Sequence, residues 1–337
     1  MNFSPLRYEP YEAAASVPNV VVDGAPNPST VLSLTHWPGF PAPNGLAADL
    51  SAQMVFRYLC SPTLLHGVAD VVTNNHFDQD GLVSAFALTN PEQALSRRIL
   101  LEDVAAAGDF ATYRDRRAAR LSMLLAAYAD PERSPLAPLP ADYQETCGLL
   151  YSELLERLPE LIDGLEDHRE LWNEEDSQLS ASEAALAAGD VLVEEHPEVD
   201  LAVVTIDDRT AGWSGHRFAG AQFDGIHPMA LHNATERFAL LLVHGRHYRF
   251  VYRYETWVQY QSRRPRARVD LVELAEQLTS LEADGTTWRA DPAGALTPQL
   301  QPTGDAESSI DPATVVSLVE RHLAEAPSAW DPYVPGE

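Results

Sequence analysis

A short apolar run that leads into a cluster of metal-ligand side chains is the feature that most restricts the fold of this chain. The run at 68–72 is typical of a buried strand, and it is followed directly by NNHFDQDGLVSA at 74–85. There His76, Asp78 and Asp80 occupy alternate positions, and an apolar helix comes next. Because alternate residues of an extended segment point the same way, we expect one imidazole and two carboxylates to share one volume. The strand-then-helix order places that volume at the carboxyl end of a buried strand, where α/β sheets bind ligands.

This group of side chains is chemically suited to a cation. Without one, the carboxylates would repel each other and would be costly to desolvate. A hard or borderline divalent ion such as Mn²⁺ or Mg²⁺ fits the oxygen-rich set. The sequence therefore predicts a metal site; the alternative is a solvated acidic turn that ends at Asp80-Gly81.

The same stretch resembles the first motif of the DHH phosphoesterase family, which has the form His-x-Asp-x-Asp-Gly-x-x-Ser. The matching residues are His76, Asp78, Asp80, Gly81 and Ser84. The resemblance implies a doubly wound parallel sheet that holds two manganese ions, followed by a smaller substrate-binding domain. It also implies hydrolysis of phosphodiesters or pyrophosphate, and it makes Ser84 a candidate substrate-binding residue.

One part of the family pattern is different here. The family's Asp-His-His triplet is absent after His76, and the nearest equivalent is LSLTHW, which precedes it and contains His36. Thr35 stands where the family has an acidic residue. Two explanations stay open: either the elements are rearranged, with Asp23 and His36 filling the missing positions, or the relative is distant and altered.

A two-metal site needs further ligands at neighbouring strand ends. Asp23 ends the first predicted strand, His36 follows the second, and Asp109 lies in EDVAAAGDF, which resembles a later motif of the family. Each has an alternative role, respectively a simple turn, ring stacking in a loop, and capping of the following helix. Asp49, which has the stronger capping case, and Asp103 are reserve ligands.

The predicted chemistry is metal-dependent hydrolysis. The predicted metal ligands are Asp23, His36, His76, Asp78, Asp80 and Asp109, with two Mn²⁺ ions, or Mg²⁺ or another divalent metal, as cofactors. Such ions activate water and polarise the bond under attack. His36, Asp78 and Asp80 are the predicted catalytic residues, and His36 could protonate the leaving group if it is not a ligand.

A concentrated basic run in the second half of the chain is the candidate anion-binding site. It reads QSRRPR at 261–266 and contributes Arg263 and Arg264. The remaining predicted substrate-binding residues are Asn75, Ser84, His227 and His232. The alternatives are that the Arg residues pair with helical Glu residues and that Asn75 merely closes its turn.

Strand-like and helix-like runs alternate at the start of the chain. We predict strands at 19–23, 30–35 and 68–74, a helix at 49–59, a strand or short helix at 97–104, and a turn at 105–113. Apolar residues three and four apart then predict helices over 114–188, and strand-like runs return after 190.

The expected fold class is α/β, a doubly wound mostly parallel sheet with a helical insert and a smaller C-terminal α+β domain. The predicted parts are a metal-binding α/β domain at 1–113, a helical segment at 114–189 and an α+β substrate-binding domain at 190–337. The tail DPYVPGE is expected to be unstructured.

Charge and composition restrict the partners. The chain has a net charge of −27 and no Lys, so repulsion disfavours binding to duplex nucleic acid. A small anionic substrate can still bind where metal ions and Arg reverse the field. No apolar run approaches bilayer length, and the N-terminus lacks the apolar region of a secretory signal. Cys60 and Cys147 are predicted to be buried free thiols. We expect a cytoplasmic protein, and a homo-oligomer is left open.

These observations favour a metal-dependent hydrolase that cleaves a phosphoester in a small anionic substrate. Two alternatives stay open. The first is metal-dependent hydrolysis of a C–N or C–O bond in a small metabolite. The second is a non-catalytic protein that has kept the fold and binds a ligand or partner.

Overall fold

The computed structural model describes residues 3–61, 65–207, 216–218, 221–223 and 225–334. These residues form two compact units. The first comprises the described parts of Met1–Ser177 together with Gln259–Arg263, and the second those of Gln178–Val258 and Arg264–Glu337. The predicted α/β class is confirmed, because one sheet is parallel, a larger one is mixed, and helices connect their strands.

The first unit contains a four-stranded parallel sheet. Its strands are β1 Arg7–Tyr8, β2 Asn19–Val22, β3 Thr30–Leu34 and β4 Val71–Thr73, in the order β1-β4-β2-β3. Every residue of β2 and β4 is buried, as is typical of apolar strands covered on both faces. Because β4, β2 and β3 are parallel neighbours, their carboxyl ends lie at one edge of the sheet.

The strand predicted at 68–74 is shorter than expected. Val68 is 87% exposed, and the N–H of Ala69 donates to the carbonyl of His66 in a turn (3.0 Å). The strand therefore begins at Val71, where the side chains become buried.

In the described part of the chain, two α-helices lie between strands of this sheet in sequence, and six more follow β4. They are α1 Tyr11–Ala14, α2 Ser51–Leu59, α3 Gln79–Thr89, α4 Pro91–Ser96, α5 Arg98–Asp109, α6 Arg116–Ala129, α7 Tyr143–Asp163 and α8 Asn173–Ala188. Helix α3 is buried on all sides, from Gln79 to Leu88, which makes it the central helix of this unit.

Helix α5 corrects the prediction for 97–113. A single helix replaces the strand or short helix and most of the turn. The reason is that AAAG at 105–108 continues the helix of 98–104, since Ala has the highest helix propensity and its small side chains allow close packing. Leu101, Val104 and Ala105 form the buried face.

The second unit is built on a six-stranded mixed sheet. Its strands are β5 Val191–His196, β6 Leu201–Ile206, β9 Ala239–His244, β10 His247–Tyr252, β12 Trp288–Ala290 and β13 Gln299–Pro302, in the order β12-β13-β10-β9-β6-β5. Only the β6–β9 pair is parallel within this sheet.

Besides the end of α8 and a few 3-10 turns, the described part of this unit contains two short strand pairs and three α-helices. The pairs are β7 His216–Phe218 with β8 Ala221–Phe223 and β11 Arg268–Val269 with β14 Ser328–Trp330, and the helices are α9 Pro228–Ala234, α10 Val272–Leu281 and α11 Pro312–Glu325. One face of the sheet packs with α10 and α11 in a core that includes Leu241, Phe250, Leu274 and Val319.

The division of the chain differs from the predicted one. Residues 114–177 belong to the first unit instead of forming a separate segment, and the boundary falls inside α8. Cys147 is buried as predicted, but Cys60 is exposed, because it lies just past the end of α2. In the tail, Asp331 and Tyr333 are ordered by a turn, and 335–337 lie outside the described residues. None of the described helices has the length and apolar character needed to cross a membrane.

Candidate metal centre

Asp23 follows β2 directly and has a left-handed backbone, with φ of 46°. Asp tolerates this region better than most residues, although the conformation still costs free energy, and such strain concentrates at functional sites. Gly24 is required beside it, because a Cβ there would lie 2.2 Å from Asn75 Oδ1. The same Asn75 oxygen accepts the N–H of Ala25 (3.1 Å). The buried Asp23 carboxylate accepts the hydroxyl hydrogen of Ser51 at Oδ1 (2.9 Å).

His36 lies two residues beyond the end of β3, and its side chain is fully buried. Its Nδ1 is 2.6 Å from the carbonyl oxygen of Asp49. Since a carbonyl oxygen can only accept, Nδ1 carries the hydrogen, and Nε2 keeps a lone pair in the neutral ring. Histidines that bind metals are oriented in this way, with the second nitrogen held by an acceptor.

The loop after β4 and the first turn of α3 carry His76, Asp78 and Asp80. Asp78 is the N-cap of α3, and its Oδ1 accepts the N–H of Gly81 (2.8 Å). Asp80 already lies within the helix, so the predicted strand-like alternation is wrong for this residue. The first turn of α3 brings Asp80 to the cluster, whereas the sequence predicts an extended segment in that role.

Asp109 is the last residue of α5, so the predicted strand end is wrong. It reaches the cluster because α5 packs closely against α3, and a Cβ on Gly108 would lie 2.5 Å from the Cβ of Gln79. The chain then turns sharply through Ala111, whose φ of 49° is unfavourable for alanine.

The six predicted ligands form two groups that share Asp23. Within each group, one possible ligand atom per residue lies within 4.8 Å of the others, and the groups are Asp23, His36, Asp80 and Asp109, all buried, and Asp23, His76 and Asp78. The Nε2 atom of His36 lies 3.4 Å from Asp23 Oδ1. The Nε2 atom of His76 lies 3.4 Å from Asp23 Oδ2. Each oxygen of Asp23 therefore faces a different imidazole.

Further contacts hold each group together. His36 Nε2 is 3.4 Å from Asp109 Oδ2 in the first group, and His76 Nε2 is 2.7 Å from Asp78 Oδ2 in the second. We name these sets the His36 group and the His76 group. The His76 group is partly exposed, with 20% of the His76 side chain and 30% of the Asp78 side chain accessible. Solvent can therefore reach the centre from that side.

Asp80 also ties the centre to helix α2. The backbone N–H groups of Ser51 and Ala52 donate to its two oxygens, at 2.7 Å each. Leu50, the N-cap of α2, provides no side-chain acceptor, so Asp80 satisfies the amides that begin this helix. Each carboxylate oxygen keeps a second lone pair, so these bonds are compatible with a ligand role.

The buried carboxylates oppose each other's ionisation. Burial raises the pKa of Asp23 to about 7, and the charge of Asp78 acts in the same direction. Burial, with the charges of Asp23 and Asp78, raises the pKa of Asp80 well above its usual value. Around neutral pH the metal-free centre therefore retains protons on carboxylates.

The two imidazoles respond differently to their surroundings. Burial lowers the pKa of His36 to about 4, which leaves its ring neutral and its Nε2 able to bind a cation. Burial also lowers the pKa of His76, but its carboxylate neighbours Asp78 and Asp23 outweigh this and raise the pKa well above the usual value. A proton is thus held at Nε2 between two carboxylates, a position suited equally to a positive metal ion.

A third group of possible ligands differs from this centre. It consists of His196, Glu198 and Glu320 in the second unit. Glu198 is exposed, and His196 pairs through Nδ1 with Glu320. A surface ion pair accounts for this group, whereas the carboxylates of the first unit are buried, where either bound protons or a cation can offset their repulsion.

Two predicted substrate-binding residues lie close to these ligands in the chain. The side-chain oxygen of Asn75 accepts the N–H of Ala25, so it braces the distant segment after Asp23 and not its own turn. Ser84 lies on α3 and is fully buried. Its hydroxyl has no hydrogen-bond partner among the residues that the structure describes.

The predicted anion-binding run is divided between the two units. Arg263 ends the Gln259–Arg263 segment of the first unit, whereas Arg264 belongs to the second. The Arg264 guanidinium pairs with Asp331 (3.0 Å) and lies over the ring of Tyr333, 4.4 Å from its centroid.

His227 and His232 belong to the second unit. His227 is the N-cap of α9, where its Nδ1 accepts the N–H of Met229 (3.1 Å). His232 is buried and packs edge-on against Phe223, with ring centroids 5.5 Å apart. The structure thus gives each imidazole a packing or capping role.

The two reserve ligands, Asp103 and Asp49, each hold a loop by accepting backbone N–H groups. The Asp103 carboxylate accepts the N–H groups of Arg114 and Asp115 (2.8–3.1 Å). Asp49 does not cap α2; its carboxylate accepts the N–H groups of Gln261 and Ser262 (2.6 and 2.7 Å).

Sequence reasoning missed two supporting roles, the orientation of His36 by the Asp49 carbonyl and the hydrogen bond of the Ser51 hydroxyl to Asp23. A backbone carbonyl has no sequence signal. A serine at a helix start is usually assigned to local capping, which hides a long-range role.

Comparisons with curated proteins and with solved structures gave no match. A family match extends over residues 4–334, nearly the whole chain. The chain therefore belongs to DUF6687, a family of unknown function.

Proposed function

We propose that this protein is a two-metal hydrolase that cleaves a phosphoester in a small anionic substrate, with Mn²⁺ as the preferred ion. The observation that carries the proposal is the position of Asp23, whose two oxygens each lie 3.4 Å from a different imidazole Nε2. A carboxylate in that position can bridge two ions.

The donor set supports the choice of metal. Asp23 and three further carboxylates, with two imidazole nitrogens, combine hard oxygen and borderline nitrogen donors, which suits Mn²⁺ and excludes the soft sites built from thiolates. His36, Asp80 and Asp109 would hold one ion, His76 and Asp78 the other. Bound there, such ions lower the pKa of water and polarise a phosphoryl oxygen.

The protein side chains divide the remaining tasks. His36 is fully buried and fixed by the Asp49 carbonyl, which favours a ligand role over proton donation to a leaving group. The accessible His76 group lies where substrate can approach, and Trp37 packs against the His76 ring with centroids 5.1 Å apart. Asp78 and Asp80 hold their positions through backbone N–H donors.

The small anionic substrate is supported by charge. The net charge of −27 opposes binding of a polyanion, while two divalent ions and Arg263 would supply local positive charge. The phosphoester itself is supported by the likeness of His76–Ser84 to the DHH phosphoesterase motif.

The test combines metal analysis with activity. We expect about two Mn²⁺ per chain by elemental analysis, and Mn²⁺-dependent release of phosphate or alcohol from a panel that contains pyrophosphate, bis(p-nitrophenyl) phosphate and short dinucleotides. Asp78→Ala should lose both properties, and Asp103→Ala, in a loop anchor, should keep both.

The alternatives give different results. If the chain binds two ions and hydrolyses amide or ester metabolites but no phosphoester, the reaction takes place at a C–N or C–O bond instead. A wild-type chain that binds no divalent ion at micromolar concentrations would contradict the proposal as a whole.

A further inference from the structure

A five-residue segment from the second half of the chain packs beside the His36 group. Gln259–Arg263, which we name the return segment, belongs to the first unit although its flanking residues belong to the second. The N–H of Gln259 donates to the carbonyl of His36 (2.8 Å). The ring of Tyr260 meets that of Phe110 edge-on, with centroids 5.2 Å apart, and Phe110 directly follows Asp109.

Asp49 connects this segment to a metal-ligand candidate through two different groups. Its carboxylate accepts the N–H groups of Gln261 and Ser262 (2.6 and 2.7 Å) and the hydroxyl hydrogen of Ser262. Its backbone carbonyl accepts the Nδ1–H of His36 (2.6 Å). One residue therefore holds the return segment and orients the imidazole.

We propose that Asp49 is a positioning residue that couples ion binding at the His36 group to docking of the return segment, which carries Arg263 for the anionic substrate. The inference rests on the proposed function for its metal and substrate. Bonds to a charged acceptor are stronger than neutral ones, so the docked segment restrains Asp49 and fixes its carbonyl. That carbonyl keeps the His36 ring in the tautomer that presents the Nε2 lone pair.

The coupling acts in both directions. With an ion bound at Nε2, the His36 ring would donate more strongly from Nδ1–H and would hold the carbonyl of Asp49 more firmly. By linkage, whatever docking contributes to ion affinity, ion binding contributes equally to docking. The segment that bears Arg263 therefore docks more tightly when the ions are in place.

The experiment is hydrogen–deuterium exchange on the full chain, with Mn²⁺ alone as the probe. In wild type, saturating Mn²⁺ should slow exchange in the return segment by about 5-fold or more, the same factor by which docking raises the Mn²⁺ affinity. In Asp49→Ala the segment should exchange rapidly with or without Mn²⁺. The chain should still bind two ions, with affinity reduced about 5-fold or more, within the usual range of coupling between sites.

A matched control is available in the same unit. Asp103 also anchors a loop by accepting backbone N–H groups but contacts no ligand of either group in the described structure. Asp103→Ala should speed exchange at 114–115 and leave the return segment and Mn²⁺ affinity unchanged. Asp49→Asn keeps one acceptor oxygen, so it should restore part of the protection.

Activity provides the readout that a purely structural role would not move. Asp49→Ala should raise KM for the anionic substrate about tenfold while kcat changes by less than about threefold. The reason is that the ions stay bound while the return segment no longer docks. Unchanged exchange on Mn²⁺ addition, or Mn²⁺ affinity in Asp49→Ala within twofold of wild type, would overturn the coupling. Coupling without hydrolysis would overturn the proposed function alone, and a wild type that binds no Mn²⁺ would overturn both.

Discussion

At the residue scale, Asp23 combines three properties that rarely occur together. Its backbone has a positive φ of 46°, its carboxylate is buried, and each of its oxygens faces one imidazole. The backbone conformation and the burial cost free energy in a metal-free chain, whereas the protonated His76 ring favours the ionised Asp23 carboxylate. Two cations that share the Asp23 carboxylate would offset the electrostatic cost of its burial. The positive φ directs this carboxylate to a position between the His36 group and the His76 group.

The first prediction concerns Asp23→Asn. Because both groups lose a ligand, bound Mn²⁺ should fall below one per chain and hydrolysis should fall at least about 100-fold. The metal-free variant should melt higher than metal-free wild type at pH 8, because a buried carboxylate with a pKa of about 7 is ionised there. Elemental analysis and calorimetry measure these effects. Asp103→Asn serves as control, and unchanged metal content in Asp23→Asn would contradict the bridging role.

The second prediction concerns pH. The metal-free centre holds protons on Asp23, with a pKa of about 7, on Asp80, whose pKa is raised by burial and by neighbouring carboxylates, and on His76, whose pKa is raised by neighbouring carboxylates alone. For His76 the carboxylates act against burial. Since ions bind the deprotonated ligands, Mn²⁺ affinity should rise between pH 6 and 8, about tenfold per pH unit for each proton released.

Titration calorimetry in buffers of different ionisation enthalpy measures this release directly. We expect at least one proton to be released for every two Mn²⁺ ions bound at pH 6.5, and fewer protons at higher pH. If the Mn²⁺ affinity does not change from pH 6 to 8, metal binding does not displace protons from these side chains.

At the scale of elements, the centre depends on how closely three helices approach each other. Helices α3 and α5 meet at Gly108 and Gln79, and α2 begins on the carboxylate of Asp80. Gln79 is held in turn by donation from its Nε2 to the carbonyl of Ser122 in α6 (2.9 Å). Because Asp109 is the next residue after Gly108, any change in this helix spacing moves a ligand.

The third prediction compares two helical glycines. Gly108→Ala gains helix propensity of about 1 kcal/mol, but its Cβ would lie 2.5 Å from the Cβ of Gln79. Overpacking should outweigh propensity, with a net loss of about 1–3 kcal/mol in unfolding free energy and weaker Mn²⁺ binding. At Gly148 in α7 the nearest atom would be Pro10 Cγ at 3.5 Å, so Gly148→Ala should stabilise by about 0.5–1 kcal/mol. Denaturant unfolding of both variants tests this, and equal effects would contradict the packing argument.

At the scale of the whole molecule, all six predicted ligands belong to the first unit. The second unit has its own sheet and its own hydrophobic core. Ion binding would therefore stabilise one unit directly, because only a state that holds the proposed ligands together could bind the ions.

The fourth prediction follows from this distribution. Free Mn²⁺ at about 100 times its Kd should stabilise the first unit by about 2.7 kcal/mol per independent site. Exchange mass spectrometry should place the added protection in β2, β4, α3 and α5, and EDTA should remove it. Greater protection in β9 and β10 than in these elements would contradict the assignment of the site.

The fold could be predicted where the signal is local. The runs NVVV and TVLSL are strands in the structure, and the apolar spacing of SAQMVFRYL is a helix. Local reasoning failed at Val68, whose apolar side chain is exposed, and at Asp109, where a helix runs through the expected turn. A turn at 66–69 places Val68 before the strand, and the high helix propensity of the Ala run at 105–107 continues the helix to Asp109.

The amino-acid sequence by itself determined which side chains stand at the carboxyl ends of the strands, because strand and helix periodicity and side-chain chemistry are short-range properties. It thereby specified His76 and Asp78 as neighbours around the start of α3. Only the tertiary structure decided that Asp23 lies between the two imidazoles, and that Asp109 and the return segment meet beside His36. Those contacts depend on strand order, helix spacing and the path of a distant segment, which are set by the free energy of packing the whole unit.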